Sequence, residues 1–453
     1  MQPTLTDNIL IIIYFLFWLV VFILYHRNDW QLDAGSAIIG SYVCYALFSI
    51  ISLNQPVLSW IDYYDYNHLK LFPFIYLAVM LIMALSPTIR FHFHPARQIE
   101  EPTSMAFYII AVVFILSALA LLPSLSMNLG DGLFKLMTDM DAGKDAYEEQ
   151  LNNASESGGG ISNIPAILFN ALTEIAVFTF FYFLSKKKNI WLVSGLGFSI
   201  AISVIQPIMT GQRSLVIYTV FTVVVGYFFF KRYLSDTIKR IVRYVGIFAL
   251  LITMVPIVAI TVSRFSQTRQ STVMDYVNWY IGQENIYFNN YALDDNGIRY
   301  GDRTLNLVKR VISSDASQNY VERRSIYSNL YVNDDIFTTF VGDFAIDYGP
   351  ALAFLIFVVF NLWVLYATKV RNKTFKIQQA LLLFFTMCVC MQGGMTLFTF
   401  ADTANLKMFV FFILYAYLNL YDNIVEKYPQ QIEIVKHTGK SLPKKKIVLK
   451  SSR

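Results

Sequence analysis

The chain has 453 residues, of which 56% are hydrophobic and only 15% are charged, whereas roughly a quarter of the residues in a soluble domain are charged. This composition excludes a soluble globular enzyme and predicts an all-α protein that crosses a membrane many times. The net charge of +5 is small and lies mainly in short loops and the tail, so it indicates membrane topology rather than nucleic-acid binding.

About eleven apolar segments are long enough to cross a bilayer as helices, at about 17–22 residues each. The first ends without a small-residue cleavage site, so we expect a retained span rather than a removed signal peptide. The segments lie near residues 9–25, 35–53, 70–86, 105–122, 165–185, 189–210, 214–230, 244–262, 348–368, 378–400 and 406–421.

Clusters of basic residues predict the orientation of these spans, because short cytoplasmic loops are enriched in lysine and arginine. An even number of predicted spans separates each cluster from the next, so all the clusters fall on one side of the membrane. The amino terminus is therefore predicted to lie outside and the carboxyl terminus in the cytoplasm. The clusters lie at residues 186–188, 231–243, 369–373 and 440–450.

This topology divides the chain into six parts, two of which are long connections on the outer side. The second of these connections is too long for a passive loop and too aromatic for a disordered one, so we expect helices within it. The parts are amino-terminal spans (1–122), a first outer loop (123–164), central spans (165–262), a second outer loop (263–347), carboxyl-terminal spans (348–421) and a basic cytoplasmic tail (422–453).

The sequence between the sixth and seventh spans places a cation at a helix break. Pro207 and Gly211 interrupt the apolar run, and Arg213 follows before the chain becomes apolar again. An arginine at that depth is costly unless it reaches an interface, a water-filled cavity or an anionic partner. We interpret Arg213 as a phosphate clamp at the outer surface; the alternative is a side chain that extends to the lipid headgroups and has no other role.

The second outer loop is rich in arginine, although outer loops are expected to carry few cations. Seven of its eight cations are arginine, whose guanidinium group can hold a phosphate through two hydrogen bonds. We expect arginines to bind an anionic lipid carrier and aromatic rings to stack on sugars; the alternative is that the arginines pair with neighbouring acids. The predicted binding residues are Arg264, Arg269, Arg310, Arg323, Arg324, Trp279 and Tyr280.

Carboxylates are the candidates for proton transfer, because no histidine between residues 95 and 436 can act as an imidazole base. Asp343 and Asp347 are four residues apart and share a face if their segment is helical. Glu174 lies deep in a span, where an acid is a functional candidate; it could instead pair with Arg213 or form a structural pair that joins two helices. Arg213, Asp343 and Glu174 are the catalytic candidates. The cysteines lack the spacing of metal ligands, and the pair His92 and His94 is a weak metal signal for which solvated loop histidines are the alternative, so no metal and no cofactor is predicted.

Several of these segments together resemble the oligosaccharide repeat-unit polymerases (the Wzy-type O-antigen and capsule polymerase family). The resemblance covers residues 195–420 and rests on the order of three features. These are Thr210-Gly211-Gln212-Arg213-Ser214 between two spans, then a large outer loop, then Phe337-Thr338-Thr339-Phe340-Val341-Gly342-Asp343 leading into Asp347-Tyr348-Gly349.

The resemblance implies a GT-C-like, all-helical membrane fold and an inverting, metal-independent glycosyltransferase without a cofactor. Such enzymes move a growing glycan from undecaprenyl pyrophosphate onto the sugar end of a new lipid-linked repeat at the cytoplasmic (inner) membrane. It also implies lipid-linked oligosaccharides, membrane lipid and a chain-length-regulating co-polymerase as partners, and no nucleic acid. Arg213 matches the family's arginine after the short glycine turn, and Arg264 and Arg269 are candidates for its loop arginines.

Two other classes stay open at this point. The sister O-antigen ligases resemble this layout but use a histidine in the large loop, and the absence of that histidine here favours a polymerase. The other class is a flippase for lipid-linked oligosaccharides or another transporter. Transporters often show internal repeats and charges at the membrane midplane, whereas this sequence has no clear repeat and places only Glu174 well inside a span.

Overall fold

The computed structural model describes most of the chain. Some side chains inside its helices, among them those of Arg213 and Arg264, fall outside this description. The described residues are 2–27, 30–55, 66–138, 164–209, 213–265, 272–313, 322, 325–333, 336–370, 373–395 and 402–427.

The described residues are predominantly helical, with two short strands that pair in parallel, β1 (Gln98–Ile99) and β2 (Thr374–Phe375). The helices are α1 (Leu5–Tyr25), α2 (Ala34–Leu53), α3 (Leu71–Phe93), α4 (Ala106–Thr138), α5 (Ile164–Ser185), α6 (Ile190–Met209), α7 (Arg213–Phe230), α8 (Asp236–Phe265), α9 (Val273–Tyr287), α10 (Asn306–Ile312), α11 (Thr339–Tyr348), α12 (Pro350–Ala367), α13 (Ile377–Gln392) and α14 (Asp402–Lys427).

Each of the eleven predicted apolar segments coincides with one of these helices. Within the described residues, nine helices are long and apolar enough to cross a membrane; the other two of the eleven are α13, an apolar helix of 16 residues, and α8. The structure thus confirms an all-α, polytopic membrane protein. The number of spans stays a prediction.

Several helix ends differ from the sequence prediction. α13 ends at Gln392, before Gly393, and is therefore shorter than the predicted span 378–400, of which residues 396–400 lie outside the described part. α3 continues to Phe93 and α4 to Thr138, beyond the predicted span ends at residues 86 and 122, and each contains an internal proline, Pro87 or Pro123, near the expected end. Proline is tolerated inside membrane helices because neighbouring groups can satisfy the freed backbone carbonyls.

Local side-chain caps explain where three of the helices begin. Thr4, Asp33 and Thr272 each accept a hydrogen bond from the backbone N–H three residues later, and a side chain there bonds back to the cap. This reciprocal arrangement satisfies donors that the first turn of a helix leaves without partners. Asp33 also accepts a hydrogen bond of 2.7 Å from the ring of His92 on α3, so the residue that caps α2 also links α2 to α3.

The loops that contain the basic clusters at residues 186–188, 231–243 and 369–373 gather at one end of the helix bundle, which we call the basic end. This matches the even number of predicted spans between these three clusters; the fourth cluster, at residues 440–450, lies outside the described residues. The contacting pairs are Arg97–Lys373, Lys188–Glu101 and Tyr233–Ala96, with donor–acceptor distances of 2.7, 3.1 and 3.0 Å.

α9, from the second outer loop, packs antiparallel to α2 at the other end of the bundle. Ser52 donates to the carbonyl oxygen of Asn278 at 2.8 Å, and Ser49, one turn earlier on α2, donates to that of Gly282 at 2.7 Å. A Cβ atom on Gly282 would lie 2.6 Å from the backbone nitrogen of Ser49 and closer still to the carbonyl group of Phe48. Only glycine therefore permits this contact between the two backbones.

We expect Gly282→Ala to destabilise the protein, because its methyl group meets rigid backbone rather than a side chain that can turn away. Overpacking of this kind costs about 1–3 kcal/mol, which lowers the melting temperature of the detergent-solubilised protein. Gly246→Ala on α8 is the matched control, since a Cβ atom there has no neighbour within 4 Å. Equal melting temperatures for the two variants would contradict the close contact.

Candidate functional site

Helices α7, α11 and α13, which lie within the region of family resemblance, come into contact inside the bundle. Gln392, at the end of α13, donates to the hydroxyl of Thr222 on α7 at 2.8 Å, and Phe340 of α11 donates to the carbonyl oxygen of Gly393 at 2.9 Å. α7 begins at Arg213 and leads at its other end into the turn at residues 231–233, at the basic end. The start of α7 therefore points toward the end that carries the second outer loop.

Glu284 and the tyrosines around it form a largely buried polar cluster beneath this loop. Glu284, on α9, is fully buried, and Tyr14 of α1 and Tyr45 of α2 lie within electrostatic range of its carboxyl group. Tyr280 of α9 lies within the same range of Tyr45, and Tyr218 of α7 within that of Tyr280. We call these five residues the tyrosine–glutamate cluster.

Two polar atoms of this cluster have no hydrogen-bond partner among the described residues. They are Oε2 of Glu284 and the hydroxyl of Tyr45. The other carboxylate oxygen of Glu284 accepts a long bond of 3.5 Å from Asn285. Burial raises the pKa of Glu284 well above its ordinary value, since a carboxylate without a cation is unstable in such surroundings. Buried polar atoms without partners are rare, so the cluster can accept a polar ligand group.

Asp343 and Asp347 lie on the same face of α11, as their spacing predicts, and hold one arginine. Nε and Nη2 of Arg303 lie 2.9 and 2.6 Å from Oδ1 of Asp343. Asp347 accepts hydrogen bonds from the backbone N–H groups of Arg303 and Thr304 at 3.0 and 2.7 Å. Burial raises the pKa of Asp347 to about 6, although these two N–H groups lower it. We call this arrangement the Arg303 clasp.

Arg299 is a second buried arginine of the loop and is also neutralised locally. Its Nη2 atom donates to the carbonyl oxygen of Val332 at 2.7 Å, its Nε atom lies 3.5 Å from Asp295, and its guanidinium group covers the ring of Tyr327. Arg299 and Arg303 therefore follow the alternative in which loop arginines pair with neighbouring acids.

The arginines predicted to bind ligand are only partly described. Arg310 is half-buried on α10, and the backbone N–H of Leu307 on the same helix donates to the side-chain oxygen of Asn405 on α14 at 3.1 Å. The backbone of Arg213 is the first residue of α7, and that of Arg264 lies one residue before the end of α8; their side chains are outside the described part. Arg269, Arg323 and Arg324 lie outside the described residues altogether.

The two predicted aromatic binding residues lie on α9. Trp279 is buried with 5% of its surface exposed. Tyr280 is half-buried, and its ring meets that of Phe337 edge-on at 5.1 Å. Of the two, Tyr280 therefore has the more accessible ring, and it also belongs to the tyrosine–glutamate cluster.

Glu174 forms a buried ion pair with Lys407 that joins α5 to α14. Its Oε1 atom lies 2.7 Å from the ammonium nitrogen, and Glu174 itself is 4% exposed. A structural pair that joins two helices was one expectation for Glu174, and its contact with Lys407 is such a pair. A pair between Glu174 and Arg213 was another expectation, and it stays a prediction because the side chain of Arg213 lies outside the described residues.

Sequence reasoning missed three residues that the structure makes prominent. Lys407 is the one cation in its predicted span, as Glu174 is the one acid in its own, and that symmetry could have signalled the pair. Glu284 lies among closely spaced aromatic residues in the sequence, and this pattern could have indicated that its carboxyl group is buried. Arg303 carries no signal that separates it from the other loop arginines, because its partners lie 40 and 44 residues away.

Within the described residues, no group of three histidine, cysteine, aspartate or glutamate side chains is arranged to hold a metal ion. Comparison of the chain with protein-family models, with curated proteins and with solved structures found no match.

We expect Arg303→Leu to unfold the outer segment, since it leaves the buried carboxylate of Asp343 without its cation, at a cost of about 3–5 kcal/mol. The double variant Arg303→Leu with Asp343→Leu removes the unpaired charge, and we expect it to melt at a higher temperature than the single variant. Thermal melting of the purified protein measures both.

Lys239→Ala is the control for this experiment, because it breaks an ion pair whose acid, Asp236, is 91% exposed. Exposed pairs contribute little to stability, so its melting temperature should match that of the wild type. A single Arg303→Leu variant that melts like this control would show that the clasp does not hold α11.

Proposed function

We propose that this chain is a polymerase that joins undecaprenyl-pyrophosphate-linked repeat units into a surface polysaccharide. In this proposal it acts by inverting, metal-independent glycosyl transfer on the outer side of the cytoplasmic membrane, with the basic end in the cytoplasm. The observation that supports the proposal is that α7, which begins within the segment of the family resemblance at residues 210–214, and α11, which belongs to the segment at residues 337–349, both contact the end of α13 inside the bundle.

The diphosphate is the leaving group of this reaction and needs positive charge as its bond to the sugar breaks. Arg213 supplies that charge in this proposal. The start of α7, at Arg213, adds to it, because the N–H groups and the dipole of a helix amino terminus favour an anion. Arg264 and Arg269 flank the passage from α8 to α9 and are the further candidates.

The acceptor sugar hydroxyl needs a proton acceptor, and in this proposal Glu284 rather than Asp343 has that role. Asp343 is held by Arg303, so in this proposal it positions α11. Among the described residues, one oxygen of Glu284 has no hydrogen-bond partner, and neither has the hydroxyl of Tyr45, which lies within electrostatic range of Glu284. A sugar hydroxyl that donates to Glu284 and accepts from Tyr45 would satisfy both atoms.

In the proposed step, a hydroxyl of the acceptor sugar attacks the anomeric carbon of the growing glycan. The hydroxyl proton passes to the Glu284 carboxylate while the hydroxyl oxygen forms a bond to the anomeric carbon of the growing glycan. The bond from that carbon to the diphosphate breaks, and the electron pair leaves with the diphosphate. Attack from the face opposite the leaving group inverts the anomeric centre.

We expect Arg213→Ala to reach the membrane normally but to reduce chain growth about a hundredfold or more, as loss of a transition-state charge contact does. Glycan profiling of a deletion strain that carries the variant measures this, with single-repeat product as the expected result. Arg243→Ala, an exposed arginine at the start of α8, is the control and should give normal chains.

Two outcomes of this experiment would contradict the proposal. Glycan of normal length from the Arg213→Ala strain would remove the proposed phosphate contact. Loss of all outer glycan in the deletion strain, with lipid-linked repeats accumulating inside, would indicate the flippase instead.

We expect the polymerisation rate of the wild type to fall as the pH falls through the raised pKa of Glu284, because only the carboxylate accepts a proton. Glu284→Gln should lose about a hundredfold or more of the rate and also lose this pH dependence. The measurement is a pH–rate profile of the purified protein with a lipid-linked repeat. Glu101→Gln at the basic end is the control, and identical profiles for the two variants would exclude Glu284 as the base.

A further inference from the structure

One stretch of the second outer loop has its polar side inward and its apolar side outward. It consists of α10 and the chain immediately before it, residues 298–312, and we call it the inverted segment. Its exposed residues are all aliphatic or aromatic, namely Ile298, Tyr300, Leu305, Val311 and Ile312. Its buried residues are all polar or glycine, namely Arg299, Gly301, Asp302, Arg303, Thr304 and Asn306. A loop surrounded by water shows the opposite order, because charged side chains are mostly exposed there.

Contacts within the protein explain the buried half of this pattern. The guanidinium groups of Arg299 and Arg303 are held by partners in the loop and on α11. These contacts turn the charged side chains inward, so the apolar side chains beside them point away from the protein. Val311 and Ile312 are 82% and 78% exposed, so the chain itself does not cover them.

One part of the inverted segment lies beside the start of α12. The backbone N–H of Arg299 donates to the carbonyl oxygen of Ile346 at 3.1 Å. The hydroxyl groups of Thr304 and Tyr348 lie 2.8 Å apart. Tyr348 lies shortly before Pro350, where the candidate span of α12 begins. This part of the segment is therefore level with the membrane boundary opposite the basic end.

The next part, α10, lies beside the start of a second span. The backbone N–H of Leu307 donates to the side chain of Asn405 at 3.1 Å, and Asn405 is the first residue of the candidate span of α14. Two separate contacts thus place the inverted segment at the level where spans begin, so it runs along the membrane surface rather than away from it. At that level the bilayer changes from headgroups to hydrocarbon, which favours apolar and tyrosine side chains.

We propose that the inverted segment lies on the leaflet opposite the basic end, with Tyr300, Leu305, Val311 and Ile312 inserted among the lipids. The partner of this surface is the bilayer that the chain itself crosses, because lipid surrounds the bundle at the level of both contacts. This placement is the same for a polymerase and for a transporter, because it follows from burial and span ends alone.

Spin labels attached to single cysteines measure the depth of this segment in nanodiscs of phosphatidylcholine and phosphatidylglycerol. Cys44→Ser is the background, because Cys44 is exposed whereas Cys388 and Cys390 are buried and shielded from the label. A label on Ile312→Cys should collide more often with oxygen, which concentrates in lipid, than with a neutral nickel chelate, which stays in water. Leu305→Cys should give the same result, since the segment lies along the surface.

Two exposed apolar residues elsewhere in the chain are the matched controls. Val359 is 60% exposed within the α12 span, and a label on Val359→Cys should also prefer oxygen. Met274 is 61% exposed and lies on α9 about one helical turn beyond Asn278, whose carbonyl oxygen meets Ser52 at the outer end of α2. A label on Met274→Cys should therefore prefer the nickel chelate. Melting temperatures equal to that of the background would show that the labelled variants are folded.

Three results would overturn the proposal. A label on Ile312 that prefers the nickel chelate, as the label on Met274 should, would place the segment in water. A label on Ile312 that neither reagent reaches would show that a protein surface, such as a second copy of this chain, covers the segment. A preference for oxygen on Ile312 but not on Leu305 would show that the segment does not lie along the membrane.

Discussion

The close contact between Gly282 and the backbone of α2 is the constraint on which the outer part of this protein depends. It lets α9 pack against a helix of the bundle, where Ser49 and Ser52 bond to its carbonyl oxygens. An exposed polar backbone is costly in such surroundings, and α9 avoids that cost because its own helix satisfies most of its backbone. The consequence is that Glu284, a residue of the outer loop by sequence, becomes fully buried.

The charges of the outer loop divide into two groups with different roles. Arg299 and Arg303 are buried, and each is neutralised by a carboxylate within reach. Such pairs are weak sources of net stability but are costly to break, so they fix the course of the chain rather than bind ligand. Glu284 is the opposite case, because it is buried and forms no ion pair with a cation among the described residues.

This division matters for the proposed chemistry. A glycosyl transfer needs positive charge at the leaving diphosphate and a proton acceptor at the attacking hydroxyl. Arg299 and Arg303 are already paired with carboxylates, so in the proposal the positive charge comes from Arg213 at the start of α7. The proton acceptor in the proposal is Glu284, whose carboxyl group is not paired with a cation among the described residues.

The sequence by itself determined the membrane class, the helix positions and the common end of the basic loops. These follow from local hydrophobicity and charge, which each segment carries independently of its neighbours. The shared face of Asp343 and Asp347 was also predictable, since four residues make about one helical turn. The sequence could not determine which loop arginines are neutralised, because the partners of Arg303 lie 40 and 44 residues along the chain. Nor could it show that Glu284 is buried and Glu174 is paired with Lys407. Only the tertiary structure decided these points, because the environment of a charge depends on which distant helices pack around it.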